Sequence, residues 1–305
     1  MPPIRSRLSA LCAALALLLG VQSAQAAQSA EDPRPSLALM TSLPIIWGEG
    51  DIGDTLAGRR QSAQSYRFLE TRYRLTVLDV VDEKALGAHP VLMLAQPHAL
   101  SPHELAAIDT WVRGGGRVLI LADPSLHWPS VYPLGDPRAP LAVTLLDPLL
   151  DHWGVRVDLT SIGRHAAPVK MNLREGARDW RLSVVAPGAF VATGKDCHVE
   201  SQGLIARCQL GKGRAVLIAD ADLLSDPLWG EEGDGNGPAI GALLDGLLGI
   251  SRDAALGISG DAGISRDSTL KSLIAGKVRF TAIFPILTFL LLCCLAFFLW
   301  NRRGN

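Results

Sequence analysis

Apolar residues along the chain fall into short unbroken runs, separated by polar and glycine-rich punctuation and by stretches with helical spacing. Leu37 to Leu43, Arg74 to Leu78 and Val91 to Ala95 read as strands. A continuous apolar run bounded by turn residues fits a strand covered on both faces, as in a parallel sheet. Between the first two, Gln61 to Arg72 places Ala63, Tyr66, Leu69 and Tyr73 at helical spacing, and Asp82 to Leu86 reads as one helical turn. Ser101-Pro102-His103-Glu104 is an S-x-x-E capping box with proline at the first helical position. Leu105, Ile108, Trp111 and Val112 form the apolar stripe of the helix it opens, which Gly114-Gly115-Gly116 ends.

One pattern occurs twice. Gly114-Gly115-Gly116-Arg117-Val118-Leu119-Ile120-Leu121-Ala122-Asp123 returns as Gly211-Lys212-Gly213-Arg214-Ala215-Val216-Leu217-Ile218-Ala219-Asp220. Each copy reads G-x-G-R, four aliphatic positions, alanine, aspartate. These are expected to be two central strands with acids at their carboxyl ends. Strand and helix alternate with short loops, which predicts an open, mostly parallel α/β sheet with helices on both faces.

The intervening chain is less regular. Five prolines from Pro124 to Pro140 punctuate a long loop, and Val143 to Trp153 reads as a helix ended by Gly154. Val155 to Leu159, Arg181 to Val185, Ala189 to Ala192 and a hairpin spanning Cys197 to Cys208 are expected as strands, the last three as antiparallel additions at one edge. Pro238 to Leu248 is a short apolar helix that closes the domain.

Both ends of the chain carry a different signal. Arg5 and Arg7 precede an apolar Leu8 to Val21, and Ser23-Ala24-Gln25-Ala26 ends in an A-x-A pattern. This reads as a secretory signal over 1–26; an uncleaved anchor is the alternative. The uncharged run Phe280 to Trp300, followed by Arg302 and Arg303, has the length and flank of a transmembrane helix. Between them, 27–249 is expected as an exported domain and 250–279 as a juxtamembrane stalk, where Gly-Ile-Ser-Arg-Asp occurs at 249–253 and again at 263–267. The expected address is the cytoplasmic membrane: a single pass touching the lipid bilayer through Phe280 to Trp300, the domain periplasmic, and the tail 301–305 cytoplasmic.

Composition narrows the chemistry. A net charge of -1 favours neither nucleic acid nor an anionic surface. Of five cysteines, Cys197 and Cys208 alone fall in the exported part. A hairpin turning at Gln202-Gly203 brings them opposite each other, and an oxidising compartment favours a disulfide. The alternative joins both to His198 as metal ligands. The seven histidines contain no H-E-x-x-H pattern, and Gly114 to Gly116 precede a strand, whereas phosphate loops follow one. No cofactor is implied.

In open α/β sheets ligands sit at the carboxyl ends of the strands. Glu49, Asp51, Gln96, Asp123, Asp220 and Asp222 fall there, with His127 and Trp128 on the loop after the fourth strand and Trp47 after the first. Asp123, Asp220 and Asp222 suit either a hard cation, as in a metal-assisted hydrolase, or helix caps and turns. Trp47, Trp128 and Tyr132 suit either a recognition surface or loop packing.

The third strand, the S-P-x-E-L helix, G-G-x-V-L-I-L-A-D and the later G-x-G-R-x-V-L-I-A-D-A-D-L-L-S-D resemble the GldG-type family of uncharacterised ABC-transporter-auxiliary proteins, related to intraflagellar-transport domains. The matching segments span most of Leu37 to Leu248. The resemblance implies a class I glutamine amidotransferase-like (flavodoxin-like) fold, membrane tethering, and a non-catalytic binding role beside a membrane-protein complex such as an ABC-type transport system. True amidotransferases carry a nucleophilic cysteine on a glycine-flanked elbow. Here the strand leaves into Asp123-Pro124-Ser125 instead.

Overall fold

The two G-x-G-R strands lie side by side at the centre of one sheet. A computed structural model describes residues 32–58, 60–133, 135–159, 167–230 and 235–250, all within the first of two compact units, Met1–Arg252. The main sheet has seven strands in the order β2-β1-β3-β4-β11-β10-β9. These are β1 (Ser36–Thr41), β2 (Arg74–Val77), β3 (Val91–Ala95), β4 (Arg117–Leu121), β9 (Cys197–Glu200), β10 (Ile205–Leu210) and β11 (Gly213–Ile218). The first five positions of that order pair in parallel; β10 and β9 add antiparallel at the edge. β4 and β11 pair residue for residue, Arg117 with Arg214 through Leu121 with Ile218.

Strand alternation divides the interior in two. Leu39, Met93, Leu119 and Val216 face one core, with Leu69 of the helix Gln64–Arg72, Tyr73 just after it, and Ile240 and Leu244 of Asn236–Leu248. Met40, Leu92, Ile120 and Leu217 face the other, with Leu86, Ile108 and Leu149 from Glu83–Gly87, Pro102–Gly114 and Asp147–Trp153. We number the described helices α1 (Ile52–Leu56), α2 (Gln64–Arg72), α3 (Glu83–Gly87), α4 (Pro102–Gly114), α5 (Asp147–Trp153), α6 (Asp226–Trp229) and α7 (Asn236–Leu248). Helices on both faces bury the central strands apart from the arginines near their starts, which is why the rest of their sequences shows no polar alternation. The capping box of α4 forms on both sides, the Ser101 hydroxyl accepting from Glu104 N–H and Glu104 from Ser101 N–H.

The repeated glycines have a steric cause. A Cβ on Gly116 would stand 2.3 Å from the Trp111 ring. One on Gly213 would stand 1.9 Å from Val112 O and 2.2 Å from Gly116 O. The second glycine of each motif therefore lets its strand start against the end of α4. The turn before β11 docks there too, Lys212 N–H donating to Arg113 O at 3.0 Å. That bond occupies one of the carbonyls a helix end leaves without an intrahelical partner.

Several expectations change. Only the cysteine hairpin joins the main sheet. Arg178–Val184 (β7) pairs with Val169–Glu175 (β6), and Ala189–Ala192 (β8) with Val155–Asp158 (β5), in two separate two-stranded sheets. β6 was legible in the alternation Val169, Met171, Leu173, with Gly176 at φ 61° making the turn. α5 begins at Asp147 and not at Val143: Leu146 has φ -89° and ψ 3° outside the helix, and Val143 and Leu145 are exposed. Among the described residues no helix is long and apolar enough to cross a membrane. The expected signal, the stalk from 251, the span 280–300 and the tail lie outside the described residues.

Candidate functional site

The strand order turns at β1 and β3, the point at which open α/β sheets place their ligands. Here the polar groups at that crevice are spent on one another. Thr41 Oγ1 donates to Ala95 O at 2.7 Å, and both the Ser42 N–H and its hydroxyl donate to Gln96 O. Gln96 adopts φ 44°, a left-handed conformation that a residue with a side chain rarely adopts. It is fully buried. Its Nε2 donates to Asp123 O and Leu141 O at 3.1 and 3.0 Å, and its Oε1 accepts from Asp123 N–H at 2.9 Å. Gln96 thus straps the long loop after β4 onto the end of the sheet. It is not presented to a ligand, contrary to the expectation from its position.

The three aspartates do converge, but inward. Asp123 and Asp220 are 0% exposed and Asp222 is 2% exposed. Asp123 accepts from Ser125 N–H at 2.8 Å and Ala221 N–H at 2.9 Å. Asp220 accepts from Val185 N–H at 2.8 Å and Leu223 N–H at 2.9 Å. Asp222 accepts from His127 N–H at 2.7 Å. Three carboxyls thereby pin three loops to the ends of β4 and β11. Buried backbone N–H groups need partners, and these side chains supply them.

Their burial has an electrostatic consequence. Desolvation raises the Asp123 carboxyl, against backbone hydrogen bonds that lower it. Asp220 is pushed well above the carboxylate range by desolvation and then by the charges of Asp123 and Asp222. Asp222 rises to about 7, by desolvation first and repulsion from Asp123 after it, with the His127 bond opposing. Burial and mutual repulsion thus both favour the protonated form within the cluster. Among the described residues no group of three or more His, Cys, Asp or Glu side chains is disposed to hold a metal ion. Both oxygens of Asp123 and of Asp220, and Oδ2 of Asp222, accept from backbone N–H groups.

What the carboxyl ends do present is apolar. Trp47 is 73% exposed, Val131 73% and Leu56, on α1, 84%. The loops after β1 and β4 are tied together. Tyr132 OH donates to Gly50 O at 2.7 Å and lies 3.2 Å from the Gly50 nitrogen, while Val131 N–H donates to Glu49 Oε2. The Arg138 guanidinium covers the Tyr132 ring at 4.2 Å. Asp51 and Asp54 cap each other's backbone across α1. Trp128 packs against the first core and is part of the fold, while His127 is exposed, its Nδ1 2.6 Å from Ser125 O. Of the expected site residues, then, Trp47, Glu49 and Asp51 share one loop assembly, with Tyr132, Val131 and Leu56 beside them. Leu56 left no sequence signal, because a lone apolar residue in a glycine-rich loop resembles a buried anchor.

On the opposite edge Cys197 and Cys208 face each other across β9 and β10 and form a disulfide, as the hairpin predicted.

The model of the family described as "ABC-type uncharacterized transport system" matches residues 34–187, β1 through the turn after β7. No curated protein matches the chain. Among solved structures, the N-terminal domain of mmIFT52 is 13% identical, with 75% of this chain and 100% of that one covered at a TM-score of 0.47. A β-galactosidase from Bacillus circulans sp. alkalophilus is 12% identical over 71% of this chain at a TM-score of 0.42, and only 31% of its own length is spanned. The cytoplasmic protein STM3548 from Salmonella typhimurium is 9% identical, with 61% of this chain and 87% of that one covered at 0.41. Likenesses of this degree say nothing of activity. The family match takes in about half of the chain, and on it this protein belongs to the family of ABC-type uncharacterized transport system proteins.

Proposed function

We propose that the chain is a membrane-tethered, periplasm-facing, non-catalytic binding module of an ABC-type transport system, built on an amidotransferase-like scaffold of the GldG type. Membership of the transport family supports the setting. The observation that carries the non-catalytic reading is the fate of the strand-end acids: Asp123, Asp220 and Asp222 are buried and bound to backbone N–H groups. The same end of the sheet exposes Trp47, Leu56 and Val131 on braced loops. Large apolar side chains held out to water on a rigid support are the composition of a protein-contact surface.

The expected result is co-purification of the tagged full chain with transporter subunits from gently solubilised membranes, weakened by Trp47→Ala together with Val131→Ser. Recovery only as a free monomer counts against the module. Topology has a separate test: a reporter fused after Asn305 should be active in the cytoplasm, and an exported reporter overturns the orientation.

A further inference from the structure

The doubled G-x-G-R motif leaves one feature that the scaffold does not use. Because β4 and β11 pair in register, Arg117 and Arg214 stand directly opposite each other on neighbouring strands. Strand alternation turns both toward the face that carries α7. Like charges in that relation destabilise a sheet unless something answers them. Arg117 is answered: its NH1 donates to Leu247 O near the end of α7 at 2.7 Å. Arg214 is exposed, and among the described residues no hydrogen bond or ion pair engages its side chain.

Arg214 lines a groove of about 450 Å³ between β9–β10–β11, the end of α7 and the tip of the β6–β7 hairpin. The next residues across the sheet on this face are Gln209, opposite Arg214, and Arg207, opposite His198. Arg207 is held in place by Glu175 Oε2 at 2.8 Å, Glu200 Oε1 at 2.7 Å and Arg174 O at 2.9 Å. Lys195 also lines the groove, and its ammonium, like the Arg214 guanidinium, has no partner among the described residues. Two acids line it as well. Glu175 is taken by Arg207, and Asp196 is exposed. The disulfide Cys197–Cys208 closes β9 onto β10 behind it and fixes the spacing of the donors.

We infer that this groove binds a small oxyanion, a phosphate- or carboxylate-bearing compound, with Arg214 as its principal contact and Lys195 and His198 as further donors. The volume lies within the range of small-molecule sites, roughly 300–1,000 Å³. A guanidinium presents planar paired donors that match phosphate and carboxylate geometry. An oxyanion beside Arg214 also relieves the repulsion from Arg117. The site lies at the amino ends of β4 and β11, away from the loops proposed to meet a protein partner, and it does not depend on that proposal.

The test is calorimetric titration of the full chain, in neutral detergent at constant ionic strength set with sodium chloride, with inorganic phosphate, glycerol 3-phosphate and succinate. Saturable binding of at least one anion is expected. Arg214→Gln should weaken it about tenfold or more, the worth of a charged hydrogen bond. Arg214→Lys should retain part of it, and Lys212→Gln, an exposed lysine outside the groove, should leave it unchanged. Circular dichroism of each variant checks the fold. Vesicles containing phosphatidylglycerol separate the sources: binding that Arg214→Gln also abolishes points to a lipid headgroup, and binding of free anions alone points to a soluble ligand. No saturable binding of any small anion, or binding that survives Arg214→Gln, overturns the site, whatever the vesicles do.

Discussion

Replacing Asp222 by asparagine tests the electrostatics of the buried cluster most directly. The carboxyl moves from its ordinary 3.8 to about 7 in the folded protein. Between those values the folded state holds a proton that the unfolded chain has released, so stability falls as pH rises through that window. Below 3.8 the contribution is fully present, and above about 7 it is gone. At about 1.4 kcal/mol for each pH unit, the whole excursion amounts to at most about 4 kcal/mol. Asp222 is only 2% exposed, so solvent screening removes little of this. Asparagine keeps an oxygen to accept from His127 N–H but cannot ionise. The assay is urea unfolding of the full chain and the variant, followed by tryptophan fluorescence, at pH 5 and pH 8. Carboxyls outside the cluster titrate in both proteins and cancel in the comparison, while Asp220, relieved of the Asp222 charge, moves back toward its ordinary value in the variant. Relative to the parent, Asp222→Asn should gain stability from pH 5 to pH 8, by about 2–3 kcal/mol over the part of the window these two values sample. An equal pH dependence in both proteins would refute the assignment of a buried, repelled carboxyl at this position.

Three further outcomes follow from packing and pairing. Gly213→Ala forces a methyl within 1.9 Å of Val112 O and should cost about 3 kcal/mol, whereas Gly114→Ala, with nothing within 4 Å, should stabilise by about 0.5–1 kcal/mol; thermal melting of both variants checks the contrast. Asp245→Asn breaks the pair with Arg72 between α2 and α7 and weakens the acceptor of the Tyr73 hydroxyl, and denaturant midpoints should record a loss of about 2–3 kcal/mol. Replacing Cys197 and Cys208 with alanine opens a loop with a sequence separation of 11 and should lower stability by about 2–3 kcal/mol, while thiol reagents should label the parent pair only after reduction.

Much of the architecture was legible because strands buried on both faces cannot hide their composition. β3, β4 and β11 stood out as unbroken aliphatic runs, and the capping box of α4 announced its start. β6 gives a weaker signal, because its run is half polar and packs only one side. The candidate site divided differently. Acids at the carboxyl ends of β4 and β11 could be placed from the sequence, but not whether they faced water or the interior. Both readings require aspartate at the same positions, and the choice depends on which distant N–H groups arrive there: Ala221 for Asp123, Val185 for Asp220, His127 for Asp222.

The sequence by itself determined the sheet, its central strands, the hairpin that pairs the cysteines and the presence of acids at the strand ends, since these follow from local periodicity and turn chemistry. Tertiary structure alone decided that those acids point inward, that Gln96 straps the crevice shut, and that Arg117 meets Arg214 across a shared register. Such facts depend on pairings between residues some thirty to a hundred positions apart, which no local pattern records.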